Sequence, residues 1–463
     1  MKIYSGTYGN DTLESNSLTA NLLKFPEISS TLVRQYPQYS VAYMVDGLGR
    51  FAKKEKLIGD HKFQWPVLGR TNRPSTCTGT FSGTGAGHTA ITFETEENYL
   101  NPNDIVRLKD KSQGVIIGLP TQTAGGYTYT MKLQDPTQVG NATVNTAVAF
   151  ATGATVGKIG TLFAERSERG YESKVFPDWY VNYVGISRKA DSLSGSALTD
   201  VTWIENNGSK LWYFTQERIC RDEFMREREY NDWYGISTMD ENGNPTIFDE
   251  DGRPLIGGDG ILRQIDSANI DTYNGVLTAK RLTNFMAMLG LSTGKKGTHW
   301  FVYTGTAGKV AFHEAMVDYA VPGGNLVYNA QTGKEMALGA DFVTYFALGY
   351  KMTVVHTPMF DDPNIHTDID AASGYPKESF RMVFINADVV DGESNIERLV
   401  KGAEGFNRSF TVKYIPGMIN PFEKGAVQSM IASNSRDAFS VEYLTECGLI
   451  IRNTLSCGML VFA

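Results

Sequence analysis

Two spacings of apolar residues alternate along this chain. Every second position predicts strands, and every third or fourth predicts helices. Phe63, Trp65 and Val67 alternate with polar neighbours, and Pro66 places that strand at a sheet edge. A Gly/Thr/Ser stretch runs from Thr78 to His88. Ala90-Ile-Thr-Phe-Glu, Gly114-Val-Ile-Ile-Gly-Leu and Tyr127-Thr-Tyr-Thr-Met-Lys-Leu give three further strands. Together they predict a long antiparallel ribbon over 63–135. A two-stranded ribbon is marginal alone and needs a partner surface for its apolar face. Residues 1–62 are polar and mixed, with short helical pieces such as Ala20-Asn-Leu-Leu-Lys-Phe, and read as an arm.

The clearest helix is Leu211–Tyr234, free of Gly and Pro, with Trp212, Ile219, Phe224, Tyr230 and Tyr234 on its apolar stripe. At 1.5 Å per residue it spans about 36 Å. Gly235 suits its stop. Between Glu217 and Glu229 it carries five acids and four arginines. These read either as a solvated face with i,i+4 pairs or as charges paired across an interface between chains. Residues 236–262 are turn-rich, with Glu241-Asn-Gly-Asn-Pro and Asp249-Glu-Asp-Gly-Arg-Pro framing a short hairpin.

A compact α/β pattern follows. Thr278–Leu289 predicts a helix with Leu282, Phe285, Met286 and Leu289 on one face, closed by Gly290. Thr298–Thr304 predicts a strand, and Thr306–Ala320 a second helix capped by Thr306. Phe342–Phe346, Tyr350–His356 and Arg381–Ile385 predict strands, and Leu449–Arg452 and Met459–Ala463 close the chain as two more. No internal repeat stands out.

Composition narrows the function classes. Hydrophobic residues make up 41% and charged residues 20% of the 463 positions, which excludes global disorder. A net charge of −8 excludes a chain held to nucleic acid mainly by bulk positive charge. Forty-seven glycines and 11% aromatics suit β-rich structure with large contact surfaces. Cys77, Cys220, Cys447 and Cys457 lie far apart and form neither a disulfide framework nor a zinc pattern, which suggests a reducing compartment. No apolar run suggests a signal peptide or a membrane span. Asn141-Ala-Thr, Asn207-Gly-Ser and Asn407-Arg-Ser are then chance glycosylation matches.

Catalytic patterns are incomplete. Gly305-Thr-Ala-Gly-Lys309 lies between a strand and a helix. It nevertheless has Tyr303 where a phosphate loop needs its first glycine, and Val310 where Mg²⁺ needs a hydroxyl. Gly83, Gly85 and Gly87 do not have dinucleotide spacing. His313-Glu314 begins a zincin string that Val317 ends. Asp240-Glu-Asn-Gly-Asn244 resembles the start of a calcium loop, with Pro245 in place of the required glycine. No nucleophile elbow occurs. The best metal candidate is His356, Asp361, His366 and Asp368 on one post-strand loop, where imidazoles and carboxylates could hold Zn²⁺ or Mn²⁺. The plain alternative is an exposed polar loop.

The order of elements is an arm, a ribbon, one long charged helix, a compact α/β body and a return to strands. Local stretches add to it: Phe63-Gln-Trp-Pro-Val-Leu-Gly-Arg, Glu97-Asn-Tyr-Leu-Asn-Pro-Asn-Asp, Gly258-Asp-Gly-Ile-Leu-Arg-Gln-Ile and Thr298-His-Trp-Phe-Val-Tyr-Thr-Gly-Thr-Ala-Gly. Over most of its length the chain resembles the major capsid proteins of tailed bacteriophages, of the Hong Kong 97-type fold. Its phrasing is closest to the crAss-like group.

The resemblance implies an α+β fold with an N-terminal arm (1–62) and an extended β-hairpin loop (63–135). A peripheral domain (136–275) would carry the spine helix 211–234 and the insertion 236–262. An axial α/β domain (276–430) and C-terminal strands (431–463) returning to the body would follow. It also implies a structural, non-enzymatic protein that assembles into hexamers and pentamers of an icosahedral head around double-stranded DNA, in the host cytoplasm and then in the virion. Expected partners are copies of itself, portal and accessory or scaffolding capsid proteins, and packaged DNA bound without sequence preference. No membrane and no cofactor are expected, and no N-terminal scaffold segment is expected to be cleaved. Expected inter-subunit contacts are Phe63, Trp65, Arg70, Arg73, Tyr127, Tyr129, Arg218, Arg221 and Arg226. The rival readings are a soluble metal-dependent hydrolase using the His356 loop, and another virion structural protein.

Overall fold

The computed structural model describes residues 55–68, 74–79, 81–83, 88, 90–108, 113–135, 148–150, 152–167, 170–172, 176–199, 201–206, 209–274, 276–293, 298–320, 343–386, 389–390, 392–420 and 434–463. The chain divides into two compact units, 1–65 with 180–463 (the body) and 66–179. Both helices and sheets are present, so the class is α+β as expected.

At the centre of the body is a mixed sheet. Its strands run in the order Ile270–Tyr273, Gly458–Phe462, Met382–Asn386, His299–Thr304, Tyr350–His356 and Thr344–Ala347. His299–Thr304 and Tyr350–His356 are parallel, so a crossover must join them, and the helix Thr306–Ala320 lies in that connection. The strand Met382–Asn386 is buried at all five positions, the mark of a strand covered on both faces.

Period two sorts its neighbours. Trp300, Val302, Met352, Val354, Phe384 and Leu460 pack with Leu282, Phe285, Met286 and Leu289 of the helix Ala279–Thr293 and with Phe312 and Met316 of Thr306–Ala320. Tyr303, Val383, Ile385 and Met459 pack on the opposite side with Trp233, Phe360, Leu449 and Ile451. The four-residue stripe expected of the first of these helices is the stripe that is buried.

The second sheet of the body is built on Ala438–Ile451, fourteen residues long. Gly185–Ser194 runs along one edge, and Thr411–Pro416 and Ile396–Ala403 share the other. The long helix, Trp212–Tyr234, hereafter α1, packs Cys220 and Phe224 on Leu193, Phe439, Val441 and Tyr443 of this sheet. Its last turn carries Trp233 into the core beneath the mixed sheet. One helix therefore ties both sheets together, which its 23 residues, about 35 Å, allow.

Several expectations need correction. The last residues of the expected arm are part of the body: Lys56–Ile58 pairs in parallel with Leu399–Lys401, and Lys56 Nζ lies 3.2 Å from Glu393 Oε1. The rest of the arm, to residue 54, lies outside the described residues. The expected axial segment 276–430 is split, because the strands between 396 and 416 pair with Ala438–Ile451. The C-terminal strand Gly458–Phe462 is instead interior to the mixed sheet.

The largest difference concerns 63–135. Among the described residues of 63–135 most strands join one closed sheet in place of a single two-stranded ribbon, while Phe81–Gly83 pairs antiparallel with Val148–Phe150. Lys62–Val67 pairs with Asp178–Tyr183. In the 66–179 unit six strands run in the order Ser75–Thr76, Thr155–Thr161, Asp104–Arg107, Gln113–Ile116, Gly126–Leu133 and Ile91–Thr95, with Thr121–Thr123 added on Gly126–Leu133. The two outer strands then meet. Cys77 bridges Thr95, Thr78 N–H donates to Glu94 O (3.0 Å), and Glu96 N–H donates to Thr76 O (3.2 Å). The sheet closes into a small barrel whose interior holds Ile91, Phe93, Val106, Ile116, Tyr129 and Met131. Closure removes the open edges that made the ribbon marginal. Gly126 (φ +137°) makes it possible, since a Cβ there would collide with Thr95 O.

The insertion 236–262 corrects the reading that the chain has no repeat. Asp240-Glu-Asn-Gly-Asn-Pro-Thr-Ile-Phe and Asp249-Glu-Asp-Gly-Arg-Pro-Leu-Ile-Gly are tandem nonapeptides, and they fold alike. Asp240 Oδ1 accepts from the N–H groups of Asn242 (2.9 Å) and Asn244 (2.7 Å). Asp249 Oδ1 accepts from those of Asp251 (3.0 Å) and Arg253 (2.7 Å). Gly243 (φ +82°) and Gly252 (φ +76°) hold matching left-handed positions.

Candidate functional site

The aromatic residues expected at subunit contacts are mostly internal. Phe63 and Trp65 are each 8% exposed and stack at 6.0 Å, and Trp65 lies 5.9 Å from Tyr180. Tyr129 is fully buried in the barrel, and its hydroxyl donates to Asn98 Oδ1 at 2.8 Å. Burial pushes its pKa up to about 12. These three side chains pack within their own chain. Tyr127 is half-buried on the same strand. Arg218 and Arg221 are exposed on α1, and Arg226 is half-buried. Arg70 and Arg73 lie outside the described residues.

The apolar residues that do face outward had weaker signals. In the 66–179 unit Leu119, Leu162, Phe176 and Trp179 are all more than half exposed. Leu119 follows Gly118 (φ +75°) at a turn, where turn chemistry hid the apolar side chain from a periodicity search. Such side chains are not confined to that unit: Val276, Leu291, Phe346 and Phe406 of the body are also more than half exposed.

The candidate metal loop is divided among structural roles. Asp361 caps the helix Thr306–Ala320. Its Oδ1 accepts from Thr306 N–H (2.8 Å) and Ser379 Oγ (2.5 Å). Its Oδ2 accepts from Thr306 Oγ1 (2.7 Å) and contacts His356 Nε2 (2.9 Å). A carboxylate there satisfies helix N–H groups and suits the helix dipole. His366 lies against Tyr234, ring centroids 5.4 Å apart, and burial lowers its pKa. Asp368 is exposed and pairs with Lys377 at 3.3 Å. Among the described residues no three His, Cys, Asp or Glu side chains are grouped to hold a metal.

The other incomplete patterns have structural explanations too. Gly305 belongs to the cap: a Cβ there would collide with Asp361 and Ser379. The calcium-like turn spends the Asp240 carboxylate on Asn242 and Asn244, and those hydrogen bonds lower its pKa. Several buried charges in the body are paired. Arg398 Nη2 lies 2.6 Å from Asp232 Oδ2, and Glu446 meets both Arg408 (2.5 Å) and His61 (3.3 Å). All four cysteines are free thiols. Among the described residues no helix is long and apolar enough to cross a membrane.

What remains is a chain whose polar clusters cap and pair its own elements and which exposes large apolar side chains on both units. Residues 1–463 match a family model from end to end. The chain is a structural protein of a virus particle and not an enzyme, which overturns the metal-dependent hydrolase reading. It belongs to the family described as Crassvirus major capsid protein, and it forms the capsid of a crAss-like phage head from copies of itself.

Solved structures offer distant likenesses. The structure titled Mycobacterium phage Ogopogo is 10% identical with a TM-score of 0.40, covering 95% of this chain and 98% of that one. The Cyanophage Pam1 capsid asymmetric unit is 10% identical at 0.37, covering 66% and 81%. The capsid of an empty GTA particle is 10% identical at 0.37, covering 95% and 96%. Likenesses this weak carry no argument beyond the family match. No curated protein matches.

Proposed function

We propose that this capsid protein has the Hong Kong 97-type fold and builds an icosahedral head of hexamers and pentamers around double-stranded DNA. The arrangement of the body supports the fold: one long helix lies along a long-stranded sheet, beside a separate α/β sheet with two helices. In this reading α1 and its sheet are the peripheral part, the mixed sheet is the axial part, and the 66–179 barrel is the extension laid over a neighbour. Portal and accessory or scaffolding proteins join the shell. With a net charge of −8, the chain holds packaged DNA weakly and without sequence preference.

The observation that carries the reading is the exposure of Leu119 (73%), Phe176 (75%) and Trp179 (57%) on a unit that already has its own core. Most of the apolar area of those side chains is left open by the unit that bears them, and it gains free energy when another surface covers it. The paired substitution Phe176→Ser with Trp179→Ser tests this. The variant should stay folded and fail to form closed heads in electron micrographs. Normal heads from it would reject the role given to the exposed apolar side chains of the 66–179 unit. Deleting 75–88, by contrast, removes buried Ser75 and Cys77 and would unfold the barrel itself.

A further inference from the structure

One cavity in the body is not used by anything described so far. It has a volume of about 270 Å³ and lies where the end of α1, the start of Gly185–Ser194, Cys447–Leu449 and the two stems of the double turn converge. Tyr183, Ser187, Arg228, Asp232, Asp259 and Cys447 line it. Arg228 is 7% exposed. Among the described residues it makes no ion pair and no hydrogen bond. The two carboxylates beside it are engaged. Asp232, one turn further along α1, pairs with Arg398, and Asp259 Oδ1 accepts from Ser237 N–H at 2.9 Å.

The Arg228 side chain is largely covered, its guanidinium opens onto the cavity without a counter-ion, and arginine cannot shed that charge by losing its proton. Its planar fork is matched by a carboxylate. The volume falls below the roughly 300–1,000 Å³ of cofactor sites and suits a side chain. We propose that this cavity is a socket in which Arg228 receives an acidic side chain from a second copy of the chain. The inference rests on the assembly reading. The chain has 51 acids against 43 basic residues, so assembled copies have carboxylates to supply. Because the stems of the double turn form one wall, filling the socket would also fix that insertion at the subunit boundary.

Arg228→Met and Arg228→Lys test the socket, with wild-type particles formed first as the check on assembly itself. Arg228→Met should leave the melting temperature of the unassembled subunit unchanged or raised. It should raise the protein concentration needed for shells tenfold or more, as loss of one partner of a buried charge pair does. Arg228→Lys, which keeps the charge without the fork, should fall between. Three results would overturn the proposal. The first is an unassembled Arg228→Met subunit that melts several degrees lower or fails to fold, which makes Arg228 part of its own core. The second is assembly of Arg228→Met at the wild-type concentration. The third is millimolar acetate or phosphate raising the melting temperature of the wild-type subunit but not of Arg228→Met, which assigns the socket to a free anion.

Discussion

In the body both faces of the mixed sheet are covered, one by two helices and the other by the end of α1 and the base of the long-stranded sheet. In the 66–179 barrel only the inward face is covered, and Leu119, Ile159 and Leu162 face out. The body buries one ion pair whole, Arg398–Asp232, whereas Glu446–Arg408 of the body and Lys158–Asp104 of the barrel each join a buried carboxylate to a partly exposed cation. The difference teaches two ways of covering a sheet. The body stacks helices and a second sheet on its mixed sheet, and the barrel closes one sheet on itself. Both units still expose large apolar side chains, Val276, Leu291, Phe346 and Phe406 on the body and Leu119, Phe176 and Trp179 on the 66–179 unit. Each can therefore stabilise its own core and still offer apolar area to a neighbour.

The largest test of this contrast is Trp233→Ala. The indole is fully buried, packs edge-on against Tyr303 and Phe360, and donates to Glu229 at 3.1 Å. Its loss should cost the body about 4 kcal/mol and leave the barrel transition in place in denaturant titrations. A single cooperative loss of both units would erase the distinction. Met131→Ala, fully buried in the barrel, should do the converse at about 3 kcal/mol, lowering the barrel's transition alone.

A smaller effect is expected at the helix cap. Asp361→Ala removes the acceptor for Thr306 N–H and Ser379 Oγ and should cost about 1–2 kcal/mol in thermal or chemical unfolding of the body. A metal-dependent change in that unfolding would contradict the capping role.

The smallest effect is a slope with pH. Burial raises the Asp191 pKa from 3.8 to about 6, against the Ser192 N–H and with help from Glu217 and Glu223. The folded chain therefore holds this proton longer than the unfolded one. Its contribution is present below about pH 4 and is lost as pH rises through about 6. Asp191→Asn should flatten that part of the stability–pH profile, and an unchanged slope would remove Asp191 as its source.

Much of the body was legible in the sequence because its elements are apolar on a regular period. α1 begins within one residue of its expected start, and Leu282, Phe285, Met286 and Leu289 form the stripe that is buried. Gly185–Ser194 was not foreseen. Lys189 and Asp191 occupy its helix-facing positions, where Lys189 meets Glu223 and Glu227 of α1, so its inward face does not read as apolar. The barrel was missed for another reason: its strands were visible, but its closure rests on the Cys77–Thr95 bridge, a backbone contact without a side-chain signature. Among site residues, Phe63, Trp65 and Tyr129 were aromatic enough to suggest contacts, yet the same area that favours an interface favours a core. The double turn did leave a signal, Asp-Glu-Asn/Asp-Gly-x-Pro repeated at nine residues, too short to register as a domain repeat.

The most direct test of the account is the particle itself: electron micrographs of the purified full-length chain at rising concentration. Closed shells of uniform diameter, appearing above a threshold, are the predicted result. A folded chain that stays solitary at every concentration, with Leu119, Phe176 and Trp179 still open to solvent, would contradict it.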